Sequence, residues 1–182
     1  MSVGIVIREV LMSNSRRRAD YELNDGLFGF RYGVLDKVLP YIRTYDSESA
    51  YEKIEAMLPG FIGKQFEKIC KQYVTMNTEY RTIGKWWESD SELKTDIEID
   101  IVAIDGIDIT SNVLFGSCIF KSSPMSIKDL DNLKRAASFV KGHTKRSYIL
   151  FSLSGFEENL IKRARDEKLT LVDMNDLYKK RK

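Results

Sequence analysis

A single histidine, two cysteines and three prolines among 182 residues leave several functions without their raw material. His143 alone cannot build a histidine-rich metal site. A Ser-His-Asp arrangement would have to rest on that residue, inside the basic stretch KGHTKR. Cys70 and Cys118 are too few for a disulfide framework or a zinc site of thiolates, and they read as buried thiols in a reducing compartment. So few prolines, with only eleven glycines, exclude a low-complexity chain. No apolar run approaches the roughly eighteen residues that a membrane-spanning helix needs. The opening MSVGIVIREV has no basic stretch before its short apolar run and carries charge at Arg8 and Glu9, unlike a secretory signal. The expectation is a cytoplasmic protein with no membrane partner.

What is present suits one compact domain with a small appendage: 43% of residues are hydrophobic and 31% charged. The net charge of +2 is too small to imply a nucleic-acid partner by itself, but its distribution is uneven. Arg16, Arg17 and Arg18 form one basic cluster, Lys141, Lys145 and Arg146 a second, and KKRK at 179–182 a third. Such clusters are candidate phosphate contacts, weighed against solvated turns and a frayed tail.

Hydrophobic period orders the rest. Residues 3–11 and 19–23 read as strands of a hairpin around the polar turn MSNSRRR. The aromatic-rich stretch 27–45 reads as a helix, and 47–57 as another that Pro59-Gly60 should break. Phe61, Ile62, Phe66, Ile69, Cys70 and Tyr73 then recur at helical spacing, with Glu67 at the edge of their stripe. IGKWW at 83–87 leads into a charged turn, and its two tryptophans suit packing better than base stacking. Next, DIEIDI at 96–101 alternates, which predicts Asp96, Glu98 and Asp100 on one face and Ile97, Ile99 and Ile101 on the other. Strands over 113–120, 146–153 and 169–174 alternate with helices over 126–140 and 156–168, the former capped by Ser126. Two successive strand–helix–strand units predict an α/β fold, a mixed sheet flanked by helices.

A helix acid, a strand acid and a place for E-x-K on the next strand resemble the PD-(D/E)xK nuclease superfamily, whose fold is restriction-endonuclease-like. In that chemistry carboxylates hold Mg²⁺ and a lysine positions or activates water. IVIREV, YELNDGLFGFRYG, LPGFIGKQFEKIC, IGKWW, EIDIVAID and LFGSCIFKSSP together resemble one family more closely. It is the domain of unknown function at the C-terminus of archaeal-type AAA ATPases, found also in bacteria, and the resemblance covers nearly the whole chain. It implies that the chain is a piece of a longer protein, in which an ATPase and a winged helix come first. Residues 1–25 would then be a β-hairpin, the trailing wing of the winged helix, residues 26–58 a helical linker, and residues 59–182 the nuclease-like α/β domain. The parent's ATPase domain is the expected partner. No phosphate-binding G-x-x-x-x-G-K-[S/T] occurs, since GFIGKQ lacks both the spacing and the hydroxyl, so no ATP site is expected in this chain.

Carried over by position, the resemblance assigns Glu67 as the helix acid and Asp100 as the strand acid. The family's third element runs glycine, glutamate, cysteine, lysine, aromatic. This chain has Gly116, Ser117, Cys118, Ile119 and Phe120, so Ser117 and Ile119 replace the usual Glu and Lys. Lys121 shares their strand parity about 7 Å beyond Ile119, within reach of a folded-back side chain. Glu98 is the local substitute for the missing carboxylate. The degenerate catalytic set is therefore Glu67, Asp100 and Lys121, with Glu67, Glu98 and Asp100 as Mg²⁺ ligands only if activity survives. The expected function is a catalytically inactive module that needs no cofactor and binds DNA or a partner. The alternatives are an active Mg²⁺-dependent DNA endonuclease and a purely structural or oligomerisation domain.

Overall fold

Among the described residues the β-branched and aromatic runs become seven strands of one mixed sheet, in the order β2-β1-β3-β4-β5-β6-β7. The computed structural model describes residues 6–13, 18–90, 95–106 and 111–179. The parallel half is built by β5 (Asn112–Ile119), α4 (Ile127–Ser138), β6 (Lys145–Ser152), α5 (Glu158–Asp166) and β7 (Leu169–Asp173). Right-handed crossovers that step in one direction put their helices on one face. Accordingly Leu130, Leu133 and Ala137 of α4 and Leu160 of α5 share a core with Val113, Phe115 and Leu150. The opposite face is covered by α3 (Ser47–Asn77), whose Phe66, Cys70 and Val74 meet Leu114, Ile149, Phe151 and Val172, and by the short α6 (Met174–Tyr178). Complete burial of each large apolar side chain contributes about 2 kcal/mol, so these two layers fix the sheet between them. Among the described residues no helix is long and apolar enough to cross a membrane.

Polar ends position α4. The Asp129 carboxylate accepts from the Ser126 backbone N–H at 2.8 Å and from its hydroxyl at 2.9 Å, which closes the N-terminus. At the other end the Arg146 guanidinium donates to the carbonyls of Ala137 at 2.7 Å and Val140 at 2.8 Å. The Ala137 carbonyl also accepts the Val140 N–H at 3.1 Å, so the cation adds a second donor there and opposes the helix dipole.

Three expectations are corrected. Thr82–Asp90, left out of the strand order, is β3, and it pairs along its length with β4 (Thr95–Ile104). Its TIGKWW start is β-branched and aromatic, the composition that suits a pleated, half-buried surface. Pro59-Gly60 does not break the helix: α3 runs through both, and the domain boundary expected between 58 and 59 falls inside it. Pro59 deprives the Glu55 carbonyl of its donor, but Glu55, Pro59 and Gly60 are all exposed, where an unpaired carbonyl costs little. Finally, Ile101 leaves the face of Ile97 and Ile99 and joins the α3-side core, for a reason that lies in β4 itself.

The hairpin of β1 (Val6–Met12) and β2 (Arg18–Leu23) extends the same sheet. It is joined through two parallel pairings, Leu11 with Lys85 and Met12 with Trp86, and Met12 and Trp86 are both buried. The expected helix over 27–45 is present as α1 (Gly26–Phe30), a π-helical turn (Arg31–Leu35) and α2 (Asp36–Arg43). Asp25 caps it, accepting from the N–H groups of Leu27 and Phe28. It leans on α3 through Phe30 and Phe61, whose ring centres are 5.5 Å apart.

Continuity of α3 makes Gly60→Ala stabilising by about 0.5–1 kcal/mol, since a Cβ there meets nothing within 4 Å, and Pro59→Ala by up to about 3 kcal/mol. Thermal denaturation followed by circular dichroism should show both gains; unchanged midpoints would mean a helix interrupted at these residues. Gly116 behaves oppositely, because an added Cβ would lie 3.0 Å from Ile101 Cβ and 3.1 Å from Ile149 Cγ2. Gly116→Val should cost about 1–3 kcal/mol in urea denaturation.

Candidate functional site

The site begins with a fault in the β3–β4 ladder. Gly84 pairs with Val102 and Trp86 with Ile99, so the single residue Lys85 faces two, Asp100 and Ile101. That extra residue is a β-bulge in β4, and it resets the alternation. Glu98 and Asp100 lie on the α3 face, and Ile101 and Ala103 follow them there instead of returning to the opposite face. Pairing of β4 with β5 ends at Ile101 and Gly116, so the two strands part next to Asp100. The Asp100 carboxylate fills the opening. It accepts the Cys118 backbone N–H at 2.7 Å, which has lost its ladder partner, and the Ser117 hydroxyl at 3.3 Å.

Above the bulge, α3 presents Glu67. The Lys85 ammonium is 2.5 Å from Glu67 Oε2 and 3.6 Å from Glu98 Oε1. Burial alone would lower the Lys85 pKa. The hydrogen bond to Glu67 and the charges of Glu67, Glu98 and Glu9 outweigh it and hold the ammonium well above the ordinary lysine value. A cleft of about 700 Å³ runs from these residues to the hairpin, where Lys71 Nζ meets Glu9 at 2.6 Å and Lys68 Nζ meets Glu22 at 3.4 Å. Lys85 and the helical succession Lys64, Lys68 and Lys71 are the site residues that the sequence reading missed. Both were visible: the lysine inside IGKWW, and cations spaced four and three apart around Glu67 on one helix face.

Glu67, Glu98 and Asp100 thus converge on one region, while the remaining expected residues lie elsewhere. Lys121 Nζ is 3.4 Å from Asp129, whose carboxylate accepts from the cap Ser126 at the start of α4. Ile119 packs against the α4/α5-side core, on the other face of the sheet from Glu67. Arg16 and Arg17 lie outside the described residues, and of Arg18 only the backbone is described. Lys141 and Lys145 are exposed, whereas the Arg146 guanidinium is committed to α4 and lies over the Phe115 ring at 5.7 Å. Lys145 pairs with Asn112 at the start of β5, five residues before Ser117. The basic loop and the acids are therefore about 17 Å apart along that strand. Cys70 and Cys118 are free thiols that contact each other, and burial pushes the Cys118 thiol up.

As arranged, the carboxylates do not fit Mg²⁺, which requires several oxygen ligands at once. Glu67 and Glu98 are turned on Lys85 and Asp100 on Cys118, and among the described residues no three Asp, Glu, His or Cys side chains gather as metal ligands.

Asp100 is half-buried, and desolvation pushes its carboxyl up to about 6. The Cys118 N–H and Lys85 oppose that rise, and the charges of Glu67 and Glu98 reinforce it. A folded-state pKa above the ordinary aspartate value means that the folded protein holds this proton more tightly than the unfolded chain does. Charging the group therefore costs stability as pH rises from about 4 through 6, by about 3 kcal/mol in full. Asp100→Asn should remove that loss, melting well above the native protein at pH 7.5 and close to it at pH about 4.5. A difference in melting temperature that stays constant over this range would mean an Asp100 titrating like a solvated carboxylate.

No curated protein matches the chain, and no solved structure does. A family model does match, over residues 32–132, from the second turn of the linker helix through β5 and into α4, and it contains Glu67, Lys85, Glu98, Asp100 and Ser117. The chain belongs to DUF234, a family of archaeal and bacterial proteins of unknown function.

Proposed function

We propose that this is a restriction-endonuclease-like domain of an AAA-type ATPase that has given up cleavage and serves as a DNA- or partner-binding module in the cytoplasm. The observation that supports it most is Lys85. Its ammonium lies between Glu67 and Glu98 and supplies the positive charge that two facing carboxylates otherwise draw from a metal ion. Ser117 at the position of the usual glutamate offers Asp100 a hydroxyl rather than a second carboxylate. Lys121 is engaged at Asp129. The hairpin, in this reading, is the remnant wing that hands the chain over from the ATPase side. Lys141 and Lys145, exposed at the opposite end of β5, are the cations offered to phosphate.

One observation favours a second reading, an active Mg²⁺-dependent endonuclease: a lysine does sit beside the acids, supplied by β3 instead of β5. Manganese titration separates the two. The native domain should give no calorimetric Mn²⁺ binding and leave supercoiled plasmid intact. Lys85→Ala should bind Mn²⁺ where the ammonium was, and Lys85→Ala with Glu67→Gln should lose it again. Plasmid cleavage by the native domain with Mg²⁺ or Mn²⁺, abolished by Lys85→Ala, would establish the enzyme instead. Electrophoretic shift of duplex DNA should weaken steeply with salt, and Lys141→Ala or Lys145→Ala should each reduce the salt slope by about 1. A domain that shifts no DNA at low salt leaves the protein partner as its ligand.

A further inference from the structure

A second cleft, of about 520 Å³, lies between the linker helix and α3, and the proposed function does not use it. Two helices that pack side by side normally close this space with side chains. Here they do so at one end only. Gly29 approaches Phe61 so closely that a Cβ would stand 3.4 Å from its ring, and Phe30 and Phe61 seal the contact. One turn on, Gly33 of the linker helix and Gly60 of α3 both line the cleft, and a Cβ on either would meet nothing within 4 Å. The π-helical turn Arg31–Leu35 widens the linker helix where the gap opens, a distortion that often accompanies a functional site. Val34, Met57 and Phe61 line an apolar interior.

The rim is cationic. Lys37, Lys64 and Lys68 stand around it against a single carboxylate, Glu22, which pairs with Lys68. Lys37 and Lys64 are exposed and pair with no carboxylate among the described residues. An apolar interior under two uncompensated ammonium groups complements one ligand chemistry: an aliphatic body carrying an anionic head. Its volume lies within the range of small-molecule sites. We infer that the cleft binds a small amphipathic carboxylate, with its chain along Val34, Met57 and Phe61 and its head at Lys37 and Lys64.

Isothermal titration with dodecanoate, kept below its micellar concentration, tests this. Saturable one-to-one binding is expected, weakening about fourfold for each methylene removed as the chain is shortened to octanoate. Dodecyltrimethylammonium, of equal chain length and opposite charge, should not bind. Lys37→Gln with Lys64→Gln should cost about tenfold or more in affinity while the melting temperature stays unchanged. Gly33→Leu should abolish binding by filling the gap. Gly60→Leu, on an exposed turn of α3, gives the same readout if the π-helical turn does not tolerate the first change. Equal binding of the cationic amphiphile, or binding that survives both leucine variants, would overturn the site. Saturable binding of a leucine-containing, glutamate-rich helical peptide with none of dodecanoate would assign the groove to a protein partner and equally overturn it.

Discussion

The extra residue in β4 is the constraint on which the arrangement depends. A regular strand would have sent Ile101 to the α4/α5 side and left the α3-side core without one of its central contacts. With the bulge, Ile101 and Ile149 close on Gly116 so tightly that a Cβ there would stand 3.0 and 3.1 Å from them and force them to give way. The same irregularity ends the β4–β5 ladder, and a backbone N–H at Cys118 is left facing the gap. A buried donor without an acceptor costs about 1–3 kcal/mol, which Asp100 avoids by accepting it. Asp100 is thus held in a desolvated place by a structural need, and its shifted titration follows from that place.

Lys85 ties this fault to the rest of the molecule. It is the residue opposite the bulge, it neutralises Glu67 on α3 and Glu98 on β4, and its backbone pairs with Leu11 of the hairpin. Among the described residues the hairpin has two pairings with β3, so its docking leans on the buried Met12 and on Glu9–Lys71 and Glu22–Lys68 across the cleft. The partly exposed Glu22–Lys68 pair stabilises modestly, whereas Glu9 is buried and would be left without its countercharge if Lys71 were lost. Helix, bulged strand and hairpin therefore meet at one lysine.

Element types were legible wherever periodicity was strong: the parallel βαβ units, the capped α4 and the linker helix all follow from apolar spacing and end signals. Pro59-Gly60 misled because a breaker residue matters by the environment of the carbonyl it orphans, and exposure is not written in the local sequence. DIEIDI shows a deeper limit. Strict alternation fixes faces only relative to an unbroken ladder, and a bulge depends on the partner strand. Ile101 was therefore misplaced although Asp96, Glu98 and Asp100 share a face as their spacing implies. Convergence of Glu67 with the acids of β4 was anticipated, yet the cation among them was sought along the next strand. The cation expected there was Lys121, but Lys85 comes instead from β3, because spacing rules describe neighbours on one strand and not those brought together by pairing.

Charge balance bears on what such a domain can bind. The large cleft carries Lys64, Lys68, Lys71 and Lys85 and as many carboxylates, but Lys85 meets both Glu67 and Glu98, and Lys64 pairs with none among the described residues. Counterion release, the main source of affinity for a nucleic-acid backbone, requires cations free to take up phosphate. Lys68, Lys71 and Lys85 are already spent on internal anions, and a polyanion entering there would have to displace those pairs while facing four glutamates. The exposed Lys145 stands instead at the far end of β5, about 17 Å from those acids. A polyanion held at that end would therefore not meet the carboxylates gathered at the bulge.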